Sequence, residues 1–117
     1  MKTNRKLFAV TVIGAALSVA SAVQARDFTG GGSQTRGQPG RNAELRSDPV
    51  TLPAGCFIQA VDSIGMDGFW MEGPRKYTFA SGPAARGTAV EGGQYRIYPE
   101  LRSGVMHAKV TVTFRCP

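Results

Sequence analysis

The sequence predicts an all-β fold: a small, single-domain sandwich or barrel of about five to six short strands, stapled by a disulfide. Three observations carry that prediction. Apolar and polar residues alternate in short runs, most clearly over the last stretch of the chain. Glycine and proline fall between the runs, where turns belong. Beyond Ala25, no stretch repeats its apolar residues at the helical period. Period-two runs bounded by turn residues are half-buried strands, and several at close spacing build a sandwich or barrel.

The final strand is the template for the rest. Val110, Val112, Phe114 and Cys116 alternate with Lys109, Thr111, Thr113 and Arg115, and β-branched residues suit a pleated, half-buried surface. Met106 and Ala108 extend the inward set backward, which places His107 on the polar face beside Lys109. Upstream, Cys56 to Val61 follows the turn-forming Pro53-Ala54-Gly55. Cys56, Ile58 and Ala60 share its inward face, while Phe57 and Val61 face the other way, so cover is expected on both sides. Gly68 to Met71 is a short strand between the turn signals Met66-Asp67-Gly68 and Glu72-Gly73-Pro74. Lys76 to Ala80 alternates with Tyr77 and Phe79 on one side. Ser81 to Gly93 reads as a long loop with one small strand at Thr88 to Val90. Gln94 to Tyr98 turns Tyr95 and Ile97 inward, and Pro99 is expected to end it.

The ends of the chain set its organisation. Residues 1–25 have the build of a secretory signal peptide: Lys2, Arg5 and Lys6, then the apolar run Leu7 to Leu17, then small residues closing on Val23-Gln24-Ala25. Cleavage there would leave Arg26 as the new terminus and send the product to the periplasm or the medium. An apolar run this short falls below the roughly 20 residues of a permanent membrane anchor. Residues 26–48 are rich in glycine and arginine and poor in apolar side chains, which predicts a disordered extension ahead of an all-β domain at 49–117.

A core that small rarely supplies more than about 3–5 kcal/mol, so a staple is expected. Cys56 and Cys116 are the only cysteines, and an even count in an exported chain is read as a disulfide. Joining strands near both ends of the domain, the bond resembles the cross-sheet bridge of immunoglobulin-like sandwiches in architecture alone. Phe114 stands where their conserved tyrosine would precede the second cysteine.

Charge narrows the function classes. The +6 of the whole chain includes the three leader cations, so the mature balance falls to +3, too mild for a dedicated nucleic-acid binder. Catalysis is not expected either, since His107 is the only histidine and no nucleophile elbow is present. The acids Asp62, Asp67, Glu72, Glu91 and Glu100 show no catalytic pairing and lie largely in turn-rich sequence. Met66, Trp70, Met71, Met106 and His107 offer the soft ligands of a monovalent copper site, but no Met-x-Met pair occurs, and methionine as flexible core filler is the better reading. No cofactor or metal is expected.

What remains is a surface. Trp70 sits in Gly68-Phe69-Trp70-Met71-Glu72-Gly73-Pro74, where an exposed indole could stack on a sugar or anchor a protein, although a lone tryptophan is more often core. Arg75, Lys76, Arg96, Tyr98 and Arg102 could surround it as an anion-seeking face. The sequence thus points to a binding module for a polar or anionic partner of the envelope or the medium, a protein or a glycan. The alternative is a structural subunit of a surface assembly, with a copper protein or small hydrolase behind it.

Overall fold

A computed structural model describes residues 24–117, so the expected leader, apart from Gln24 and Ala25, lies outside the described residues. The chain forms β1 (Arg26–Thr35), β2 (Glu44–Asp48), β3 (Val50–Leu52), β4 (Cys56–Ile64), β5 (Met66–Glu72), β6 (Tyr77–Phe79), a single helical turn α1 (Gly82–Ala85), β7 (Ala89–Val90), β8 (Gly93–Leu101) and β9 (His107–Cys116). They assemble into a five-stranded sheet of order β2-β1-β9-β4-β7 and a four-stranded sheet of order β3-β8-β5-β6. Every pairing is antiparallel. The all-β fold and its disulfide are as the sequence predicts, with more strands than it suggests.

The inward faces follow the alternation except in β4, where a bulge between Ile58 and Ala60 reverses the expected phase: Val61, opposite Val112, packs against the core, and Ala60, opposite Thr113, faces outward. Ile58, Phe69, Met71, Tyr95, Ile97, Val112 and Phe114 are each at most 1% exposed and fill the space between the sheets. Side chains of this size contribute roughly 1.5–3 kcal/mol each when fully buried. Met66 and Met71 belong to this core, as the filler reading has it. Met106 does not: it is 46% exposed, because it precedes β9 and sits in the turn rather than in the pleat. Phe57 is also exposed, at 41%, since β7 beside it is only two residues long and no layer covers that face.

The expected disordered extension is corrected by β1 and β2. β1 lies between β9 and β2, pairing with β9 along its whole length, from Arg26 opposite Cys116 to Thr35 opposite His107. Its own side chains bury little beyond Phe28, so composition alone reads it as unable to fold. The partners that order it are nearly the whole chain away. Gly30, Gly31 and Gly32 are needed for close approach rather than for looseness: a Cβ on Gly32 would lie 1.8 Å from the Ile97 carbonyl oxygen on β8. The larger sheet therefore curls at this end until its backbone touches the smaller sheet. Asp48-Pro49 carries the chain across, from β2 in one sheet to β3 in the other.

Two further expectations are corrected. The Cys56–Cys116 disulfide does not bridge the sheets. Phe57 opposes Arg115, so the cysteines start and end neighbouring strands of one sheet, β4 and β9. Both are buried, as their inward phase requires. Pro99 does not end β8, which runs on to Leu101. Backbone N–H groups two residues apart in a strand point the same way, so the nitrogen of Pro99 faces the side on which Ile97 meets Ser47. β3 has already ended there, at Val50 opposite Tyr95, so no ladder bond is lost.

Candidate functional site

β5 sends Phe69 and Met71 into the core, and the two-residue period then forces Trp70 outward. Trp70 opposes Tyr98 on β8 and Thr78 on β6, so the three share the outer face of the smaller sheet. The Trp70 and Tyr98 ring centroids are 5.4 Å apart with planes tilted by 34°. Trp70 Nε1–H donates to Glu72 Oε2 at 2.9 Å, which holds the indole from the neighbouring same-face position. The outcome is a half-buried pair of aromatic rings on the outer face of the smaller sheet.

Charges of both signs frame the platform. Arg96 lies opposite Glu72 in the β5–β8 register. Beside Trp70 a shallow hollow of about 190 Å³ is lined by Phe69, Trp70, Lys76, Thr78, Phe79 and Glu100. The face thus gathers Trp70, Tyr98, Arg96 and Lys76 of the residues named from sequence for it, together with Glu72 and Glu100, which the sequence reading weighed only as catalytic acids and did not place on this face. Their signal was present: each acid stands two residues after an aromatic of the platform, and so on the same face.

Arg75 and Arg102 are placed elsewhere. The Arg75 guanidinium lies 5.5 Å from the centre of the Tyr77 ring and lines a separate hollow with Phe57 and Glu91. Arg102 is engaged in the turn after β8, with Nε 3.2 Å from Asp67 Oδ1 and Nη2 donating to the Met66 carbonyl at 3.1 Å. The face is therefore balanced in charge rather than basic.

Other candidate groups are dispersed. His107 Nδ1 is 3.0 Å from Thr35 Oγ1 on the opposite, exposed face of the larger sheet. Among the described residues, no group of three His, Cys, Asp or Glu side chains is placed to hold a metal ion. Tyr95 O–H donates to the Glu91 carbonyl at 2.7 Å, and Glu91 N–H donates to Tyr77 Oη at 3.0 Å. Burial first, then the hydrogen bond and charge of Tyr77, push the Tyr95 phenol up to about 12. That pair of tyrosines clasps the chain where it leaves β7 and is structural. No helix among the described residues is long and apolar enough to cross a membrane.

Comparison with protein-family models, with curated proteins and with solved structures returns no match. Fold and geometry together define a class: a small, disulfide-stabilised all-β domain of two sheets, one of them curled into a half-barrel.

Proposed function

We propose that this chain is an exported binding module, working in the periplasm or the medium, whose Trp70–Tyr98 face holds a glycan. The observation that carries the reading is the outward Trp70, half-buried and oriented by Glu72, on a strand whose flanking residues are core. An aromatic face stacks on the apolar face of a sugar ring, and the surrounding acids and cations supply acceptors and donors for its hydroxyls. Equal numbers of acids and cations, Glu72 and Glu100 against Lys76 and Arg96, suit a neutral polar partner better than a polyanion. The leader-like N-terminus and the paired cysteines support export.

Trp70 is the only tryptophan, so its fluorescence reports the site directly. Titration with soluble peptidoglycan fragments and with a neutral glucan should give a saturable change that Tyr98→Ala removes. No response to either glycan, together with no retention on insoluble peptidoglycan, would sink the reading. The structural-subunit alternative draws on Phe57 and Ile64, which stand 41% and 64% exposed on the outer face of β4. Concentration-dependent self-association in sedimentation, lost in Ile64→Ser, would favour it.

A further inference from the structure

Three turns meet at one end of the fold. Arg36 N–H donates to the Met106 carbonyl at 2.8 Å, its Nε to the Val105 carbonyl at 3.0 Å and its Nη2 to the Arg102 carbonyl at 3.4 Å. Arg102 N–H in turn donates to the Gly65 carbonyl at 2.9 Å. The β1–β2 loop, the β4–β5 turn and the β8–β9 turn are thereby tied into one surface. The β1–β2 loop is also closed on itself, since Gln38 and Arg41 exchange backbone hydrogen bonds of 3.1 and 2.7 Å. Pro39-Gly40 spans the tip, with Gly40 at φ +81°, the left-handed region that this turn requires.

The braced loop encloses a hollow of about 490 Å³ lined by Thr35, Arg36, Gln38, Arg41, Asn42 and Glu44. The Arg36 guanidinium is spent on the Val105 and Arg102 carbonyls and Thr35 Oγ1 lies against His107 Nδ1, so the donors open to the hollow are the Arg41 guanidinium and the Gln38 and Asn42 side-chain amides. The single acid is already engaged, with Glu44 Oε2 2.9 Å from Arg46 Nη2. Arg41 has no ion-pair partner among the described residues. Around this end Arg36, Arg41, Arg46 and Arg102 outnumber Glu44 and Asp67. The anion-seeking character that the sequence suggests for the Trp70 face is concentrated here instead.

We propose that this hollow is a second site, for a ligand that presents a phosphate group. A tetrahedral oxyanion offers acceptors in several directions at once, matching the Arg41 fork and the Gln38 and Asn42 amides. A neutral sugar would leave the Arg41 charge unmatched. The site uses none of the platform residues and does not depend on the glycan reading.

Two probes distinguish a free phosphate from a lipid headgroup. Inorganic phosphate is titrated into the isotopically labelled protein at constant ionic strength, against chloride, with backbone amide shifts as the readout. Vesicles of phosphatidylglycerol are compared with vesicles of phosphatidylcholine in co-sedimentation. The expected result is shifts confined to residues 35–44, or selective pelleting with phosphatidylglycerol, weakened at least about tenfold by Arg41→Gln, as for loss of a charged hydrogen bond. Arg75→Gln, on a different surface, should leave both unchanged. Response to phosphate assigns the site to the free group, and response to vesicles alone assigns it to the headgroup. No response to either probe, shifts elsewhere, or equal weakening by Arg75→Gln would overturn the proposal.

Discussion

The Ser47 hydroxyl accepts a hydrogen bond from the Ile97 backbone N–H at 2.9 Å and donates to the Gly31 carbonyl at 3.2 Å. Ile97 is in the smaller sheet and Gly31 in the larger, so one side chain stitches the two sheets where β2 gives way to β3. It does the work of a ladder residue at a point where the chain is changing sheets and no backbone group is in position.

Ser47→Ala should therefore leave the Ile97 N–H without a partner in a buried setting, at a cost of about 1–3 kcal/mol. Urea denaturation of the two proteins measures it. Amide exchange at Ile97 should accelerate in the variant more than exchange at Val112, which lies in the β9 ladder. An unchanged midpoint would mean that water replaces the hydroxyl there.

A second expectation contrasts two glycines. A methyl at Gly32 would lie 1.8 Å from the Ile97 carbonyl oxygen and 2.7 Å from the Arg46 carbonyl oxygen, so Gly32→Ala must part the sheets. A loss above about 3 kcal/mol, or failure to fold, is expected from overpacking of this kind. Gly40 has φ +81° and open space around its would-be Cβ, so Gly40→Ala should cost only about 1–2 kcal/mol of backbone strain. Thermal melts rank the pair, and the reverse order would contradict the close approach.

These glycines also show what the sequence could and could not disclose. The phase of β9 and of Tyr95 and Ile97 was legible because their burial is encoded in their own alternation. Trp70 was placed correctly in a short strand, yet its side was left open, because a four-residue run does not announce which neighbours are core. β1 was illegible because a strand ordered by β9 and β2, with glycines where side chains would stand, has the composition of a linker. Arg75 follows Trp70 closely along the chain and Arg102 follows Tyr98, which grouped them with the platform, whereas a turn and a sheet end separate them from it in space.

The disulfide closes a separation of 60 residues. Loop-closure entropy puts its contribution near 4 kcal/mol. The double variant Cys56→Ala with Cys116→Ala should lose most of that, and intact mass of the purified protein should show two fewer hydrogens than the reduced chain. Two alkylatable thiols without reductant would contradict the bond.

Stability should also fall in alkali. The Tyr95 phenol is held up to about 12 in the fold, chiefly by burial, against an ordinary value of 10.0. Below pH 10 both states keep the proton and nothing is lost. Between about pH 10 and 12 the unfolded chain ionises while the folded one does not, so unfolding is favoured by about 2–3 kcal/mol. Urea midpoints measured across that window should decline less steeply in Tyr95→Phe, and parallel declines would remove Tyr95 as the cause.

The last expectation concerns Trp70, whose two sides belong to different arguments. Its inner side rests on the sheet and on Tyr98, so Trp70→Ala should cost about 1–2 kcal/mol of stability, the value of a half-buried aromatic pair. Phe69, its fully buried neighbour, should cost about 3–5 kcal/mol when cut to alanine. Its outer side is the proposed stacking surface, and removing an anchor of that kind weakens binding by about 2 kcal/mol, near thirtyfold. Denaturation of both variants beside glycan titration of Trp70→Ala, read by calorimetry because the fluorophore is gone, separates the roles. If Trp70→Ala destabilises the domain as much as Phe69→Ala does, the indole is a structural wedge, and the glycan face loses the residue on which it was built.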